Sequence, residues 1–150
     1  MESMKNKHYK IGYTQGVYDM FHIGHLNLLN HAKERCDYLL VGINTDALVQ
    51  DYKQKKPVIP ERERLEIVSS IKVVDASFLV STLDKIQILR EHHFNAIFIG
   101  DDWQGNGRWK QTEKDMAMFG VDVVYLPHTP HTSSTKLRPK SALRIIEDEE

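Results

Sequence analysis

The chain has 150 residues, of which 41% are hydrophobic and 27% charged, and its formal net charge is −1. That size suits one domain around one core, and the near-neutral balance argues against nucleic-acid binding, which needs a basic excess. No apolar run approaches the roughly 20 residues that insert across a bilayer.

Residues 1–8 are polar, lack the apolar stretch of a signal peptide and read as a tail. The first predicted strand is Lys10–Gln15, and it runs into Gly16-Val17-Tyr18-Asp19-Met20-Phe21-His22-Ile23-Gly24-His25. Leu26, Leu28, Leu29 and Ala32 then repeat at helical spacing, which predicts a helix over Gly24–Arg35. Two histidines thus sit where a strand becomes a helix, beside unpaired backbone N–H groups and a positive dipole end. Gly24 lets a ligand approach the backbone, and imidazoles add hydrogen bonds and protons, so the segment predicts a phosphate site. In a purely structural alternative His22 packs in the core and His25 caps the helix. The single cysteine, Cys36, cannot form a disulfide within the chain and reads as a buried thiol in a cytoplasmic protein.

Tyr38–Asn44 is almost continuously apolar and predicts a strand covered on both faces. Lys53-Gln54-Lys55-Lys56 follows in a predicted loop, a positive patch suited to a polyphosphate. The next helix is predicted over Glu61–Ile71. Arg62 and Arg64 near its start oppose the helix dipole, which calls for an anionic partner for at least one of them. A strand at Ala76–Val80, a helix at Lys85–His92 and a strand at Ala96–Gly100 come next. Asp101, Asp102 and Trp103 follow, two carboxylates able to grip hydroxyls or a hydrated cation beside an aromatic wall. Helix Gln111–Phe119 and strand Asp122–Leu126 lead to His128, Thr129, His131 and the run Thr132-Ser133-Ser134-Thr135-Lys136. Those hydroxyls can cap a last helix, Thr135–Glu147, and cradle terminal phosphates. Residues 147–150 form a predicted acidic tail.

The alternation predicts right-handed βαβ crossovers and a doubly wound, Rossmann-like parallel sheet in one domain spanning residues 1–150. Ligands bind beyond the carboxyl ends of such strands. Four polar clusters fall there, after the first, second, fourth and fifth strands.

Taken together, Gly-x-Tyr-Asp-x-x-His-x-Gly-His (residues 16–25), the lysine loop, Glu63-Arg64, Val74-Asp75, Gly100-Asp101-Asp102-Trp103 and Ser133-Ser134-Thr135-Lys136 resemble the cytidylyltransferase family. The resemblance runs from the first strand through Arg138, nearest the branch that uses glycerol 3-phosphate. It implies an α/β nucleotidyltransferase of the HxGH type, usually a homodimer, that uses CTP with Mg²⁺ as cofactor. CMP would pass to a small phosphorylated alcohol, giving CDP-glycerol and pyrophosphate if the acceptor is sn-glycerol 3-phosphate. His22 and His25 would grip the triphosphate, with Lys53 and Arg64 completing the catalytic set. Gly16, Val17, Tyr18, Asp19, Gly24, Asp101, Asp102, His128, Thr129, Ser133, Ser134 and Thr135 would bind the nucleotide. Lys53, Lys55, Asp19 and Trp103 would meet the acceptor; the metal ligands are unassigned. Other acceptors (phosphocholine, phosphoethanolamine, ribitol 5-phosphate), adenylyl transfer and a non-catalytic nucleotide-binding module are the alternatives.

The chain departs from the family pattern at several points. His128 stands where an arginine is usual, His131 replaces a glycine, Val17 a threonine and Leu83 a tryptophan. Lys72-Val73-Val74-Asp75-Ala76 takes the place of Arg-Tyr-Val-Asp-Glu.

Overall fold

The computed structural model describes residues 7–128. Five parallel strands, β1 (Tyr9–Gly16), β2 (Cys36–Asn44), β3 (Ala76–Val80), β4 (Ala96–Gly100) and β5 (Asp122–Leu126), form one sheet in the order β3-β2-β1-β4-β5. Crossovers run through α1 (Ile23–Glu34), α2 (Asp46–Lys53), α3 (Glu61–Ser69), α4 (Lys85–His92) and α5 (Gly107–Ala117). The order reverses at β1, between β2 and β4, which is where a doubly wound sheet opens a crevice.

The two-residue period of the strands divides the core. Leu39, Val41, Ile43, Phe98 and Val124 pack with Leu29 and Ala32 of α1 and Val68 of α3. The intervening residues Leu40, Ile97, Ile99 and Val123 pack on the other face with Ile88 and Leu89 of α4 and Trp109 and Met116 of α5. Both faces are therefore covered, and the fold class predicted from the pattern holds. Close approach demands glycine within the sheet: a Cβ on Gly12 would run into the Phe98 ring and come within 3.0 Å of Cys36 Sγ.

Strands β3, β4 and β5 and helix α4 have the predicted bounds, and β1, β2, α1 and α3 agree with prediction to within two residues. Two helices differ more. α5 starts at Gly107 rather than Gln111, because Asn106 Oδ1 accepts the Arg108 and Trp109 N–H groups and Trp109 is buried. It ends at Ala117 rather than Phe119, and Gly120, with φ of 73°, turns the chain so that the Val121 N–H bonds back to the Met116 carbonyl. α2 occupies the start of what reads as a loop. Thr45 caps it by accepting the Leu48 N–H at 3.1 Å, and Leu48 and Val49 bury its inner face. Lys53 consequently ends a helix, and only residues 54–60 are loop. The predicted last helix, Thr135–Glu147, lies outside the described residues.

Candidate active site

Because all strands are parallel, each of the polar segments that follows a strand opens on the same sheet edge. The β1 exit carries the histidine pair. His22 is the N-cap of α1; its Nδ1 accepts the Gly24 N–H at 3.0 Å, and His25 Nδ1 accepts the His22 N–H at 3.1 Å. The rings stack with centroids 4.0 Å apart, and His25 is buried against Tyr18 and Phe21. The structural alternative therefore has its two roles exchanged, since His22 caps and His25 is the more buried. Nδ1 of each ring accepts a main-chain proton, so hydrogen bonding assigns the neutral proton of each to Nε2. Two such donors at a helix start form an arrangement for a phosphate oxygen.

Tyr18 and Met20 have φ of 55° and 50°, left-handed values that are rare outside glycine. Between them Asp19 is fully buried, and its carboxylate accepts the N–H groups of Val58 (2.8 Å) and Ile59 (2.9 Å). Its role in this structure is to hold the 54–60 loop. Gly16 and Val17 are buried at the strand exit, and Val17 packs on Val49.

Arg64 has an anionic partner, as the dipole argument requires, and that partner is a side chain of the protein. Its Nη2 donates to Asp46 Oδ1 at 2.6 Å, Nη1 to the carbonyls of Val17 (2.7 Å) and Asn44 (2.8 Å), and Nε to the Ile59 carbonyl (2.8 Å). With a fully buried side chain, Arg64 braces three segments of the edge against one another. Arg62 remains exposed. Asp46 and Glu61 each accept the other's main-chain N–H, joining the heads of α2 and α3.

The lysine segment begins at the end of α2. Lys53 and Lys55 are half-buried and Lys56 is exposed; Lys53 Nζ lies 5.7 Å from the Tyr52 ring centre. Tyr52 belongs to a buried polar chain that sequence reasoning missed. Tyr13 Oη donates to Gln15 Oε1 (2.6 Å), Gln15 Nε2 to Asn44 Oδ1 (2.8 Å) and to the Thr82 carbonyl (3.1 Å), and Asn44 Nδ2 to Tyr52 Oη (3.0 Å). Its signal was present in the sequence: Gln15 and Asn44 are polar residues at or next to the carboxyl ends of strands that are mostly apolar.

On the far side of the crevice, Asp101, Asp102 and Trp103 form a short 3₁₀ turn after β4. β4 pairs with β5, so Asp101 reaches His128, whose Nδ1 is in hydrogen-bond contact with Asp101 Oδ1. That bond, with the charges of Asp101 and Asp102, holds the imidazole pKa above its ordinary value. Trp103 is half-buried with the Arg108 guanidinium 5.9 Å from its ring centre. Thr129, His131, Ser133, Ser134, Thr135 and Lys136 lie outside the described residues. No helix among the described residues is long and apolar enough to cross a membrane.

Comparison with known proteins bears on this edge as a whole. Residues 13–140 match the family model described as cytidylyltransferase-like. The glycerol-3-phosphate cytidylyltransferase of Bacillus subtilis is 35% identical over 130 residues, covering 86% of this chain and 95% of the relative. That of Bacillus spizizenii is 34% identical over the same shares. Among solved structures, a lipopolysaccharide core biosynthesis protein from Thermoplasma volcanium superposes with a TM-score of 0.68 at 23% identity, covering 83% of this chain and 99% of its own, a likeness of fold. With a family match over most of its length and relatives aligned along nearly all of theirs, the chain belongs to the cytidylyltransferase-like family and is a nucleotidyltransferase.

Proposed function

We propose that the protein transfers CMP from CTP to sn-glycerol 3-phosphate, forming CDP-glycerol and releasing pyrophosphate. The observation that carries the reading is the reciprocal His22–His25 cap, which engages both Nδ1 atoms and so makes Nε2 the donor nitrogen of each ring at the mouth of α1. The glycerol-3-phosphate cytidylyltransferases that align over most of the chain support this choice of acceptor.

A phosphate monoester oxygen is already a nucleophile at neutral pH, so the chemistry needs no strong base. The obstacle is a dianion approaching an anionic α-phosphorus in line, followed by charge moving onto the departing pyrophosphate. Positioned donors and cations relieve both. In this reading His22 and His25 donate to triphosphate oxygens, Lys53 and Lys55 attract the phosphates of CTP and acceptor, and Arg64 keeps their supports in register. Gly16, Val17, Tyr18, Gly24, Asp101, Asp102, His128, Thr129, Ser133, Ser134 and Thr135 surround the nucleotide, and Trp103 borders the acceptor.

Magnesium belongs to the proposal as the counter-ion of CTP. Among the described residues Asp101, Asp102 and His128 bring ligand atoms within 4.8 Å of one another. Asp101 and His128 are already engaged with each other, and a ring nitrogen suits magnesium poorly. That set does not fit an all-protein magnesium site, and the chemistry derived for the chain runs through its own donors. A cytoplasmic homodimer completes the reading.

The test is pyrophosphate release by purified protein with Mg²⁺, comparing CTP with ATP across phosphorylated polyols and amino alcohols. The highest kcat/KM is expected for CTP with sn-glycerol 3-phosphate. A higher value for phosphocholine, phosphoethanolamine or ribitol 5-phosphate would reassign the acceptor, and preference for ATP would reassign the nucleotide. No release above background with any pair would leave a nucleotide-binding module.

A further inference from the structure

The lysine segment is tethered at both ends to buried groups, and one of these groups lies within the histidine loop. At its N-terminal end, Tyr52 is fastened through Asn44 to Gln15, at the ends of β2 and β1. At its C-terminal end, Val58 and Ile59 give their N–H groups to Asp19, and the Ile59 carbonyl accepts from Arg64. Between the tethers stand Lys53, Lys55 and Lys56, and Gln54 turns the chain with φ of 57°. Val58 itself is 61% exposed, so packing of its side chain does not hold the loop down. The Asp19 carboxylate does, together with Arg64 at the Ile59 carbonyl.

Asp19 is presented to that loop at a conformational cost. The residues on both sides of it adopt left-handed φ without being glycine, and such strain persists only where the surrounding structure over-determines it. Here strain aims a fully buried carboxylate at two backbone donors 39 and 40 residues away in sequence. The same short turn leads directly into His22. One backbone segment therefore fixes both the histidine pair and the end of the lysine segment.

We infer that Asp19 is a positioning residue that sets Lys53 and Lys55 in register with His22 and His25, without touching nucleotide or acceptor. This rests on the proposed transfer reaction and names how its cations are placed. An aspartate that bound substrate would act on its own; one that acts through the loop acts only while the lysines are there. Misplacing a charged group by about 1 Å costs on the order of 100-fold in rate. Asp19→Asn keeps the size and one acceptor oxygen but loses the second bond.

The experiment is a double-mutant cycle in kcat/KM among Asp19→Asn, the Lys53→Ala/Lys55→Ala variant and the two combined, using CTP and the best acceptor. Asp19→Asn is expected to lower kcat/KM about 100-fold. The combined variant should match the worse of its two parents within about twofold. Losses that multiply within that margin would overturn the inference.

Val58→Pro removes one donor while leaving Asp19 intact, and a positioning role predicts a loss of the same kind as in Asp19→Asn. Wild-type kcat/KM in Val58→Pro would point to direct contact of Asp19 with substrate and likewise overturn it. Hydrogen exchange gives an answer independent of turnover. In Asp19→Asn the Ile59 and Val58 amides should lose protection while the amides of β1, β2 and α1 keep theirs. Retained protection at 58 and 59 refutes the clasp, whereas absent turnover in the wild type refutes the reaction and leaves the exchange result standing.

Discussion

His22 and His25 hold each other in place: the main-chain N–H of His22 bonds to the His25 ring, and the two imidazoles stack at 4.0 Å. The cap that starts α1 and the pair of Nε2 donors are the same two side chains. Stability and chemistry can nonetheless be separated by substitution. His22→Ala and His25→Ala should each lower turnover about 100- to 1000-fold, the cost of removing one transition-state donor. His22→Asn should retain the cap, because asparagine is a good N-cap. Its melting temperature should exceed that of His22→Ala, while its turnover stays low. Full activity in a folded double alanine variant would refute the assignment.

Arg64 offers a test of bracing. Arg64→Met strands the carbonyls of Val17, Asn44 and Ile59 and leaves Asp46 without its cation. Asp46 is 31% exposed, so the cost lies chiefly in the stranded main-chain acceptors, about 1–3 kcal/mol for each left unsatisfied, to be read from urea unfolding. Exposed Arg62, two positions earlier, should change stability by less than about 0.5 kcal/mol when replaced by Met. Equal effects at the two positions would show that the bonds of Arg64 carry no special weight.

The His128–Asp101 contact predicts a pH signature. The hydrogen bond that His128 donates to the Asp101 carboxylate raises the imidazole pKa above the ordinary 6.5, against a smaller opposing effect of burial. A raised folded-state value means that the pair contributes fully below about 6.5 and fades as pH rises through the folded pKa. Both side chains are about half exposed, so the effect on stability is small and NMR titration is the better readout. In Asp101→Asn the His128 midpoint should fall toward 6.5; an unchanged midpoint would contradict the contact.

Cys36 should be inert while the protein is folded. Burial pushes its thiol up to about 11, and Sγ donates to the Ala32 carbonyl at 3.3 Å. At pH 8 a thiol reagent should modify no cysteine in the native state and one per chain in urea. Rapid native-state labelling would show that α1 opens from β2.

Much of the fold was legible because the pattern is local and repetitive. Apolar runs of five to nine residues alternate with helical spacing, and β3, α4, β4 and β5 follow with no adjustment. The misread helices failed for local reasons too. Thr45 caps α2 in a stretch whose lysines suggested a loop, and the glycines around Asn106 concealed its capping of α5. At the site, the sequence by itself determined which chemistry collects after the strands, since residue type and strand ends are properties of the linear chain. The histidines, the lysines and the paired aspartates were all visible there. Tertiary structure alone decided what each charged group faces. Asp19 and Arg64 look like ligand contacts in sequence, yet their bonds run to Val58, Ile59, Val17, Asn44 and Asp46. A buried charge must find partners within the protein, because leaving it unpaired is too costly. Apart from the Arg64–Ile59 bond, which spans five residues, those partners lie 18 to 47 residues away, at separations that no local pattern encodes.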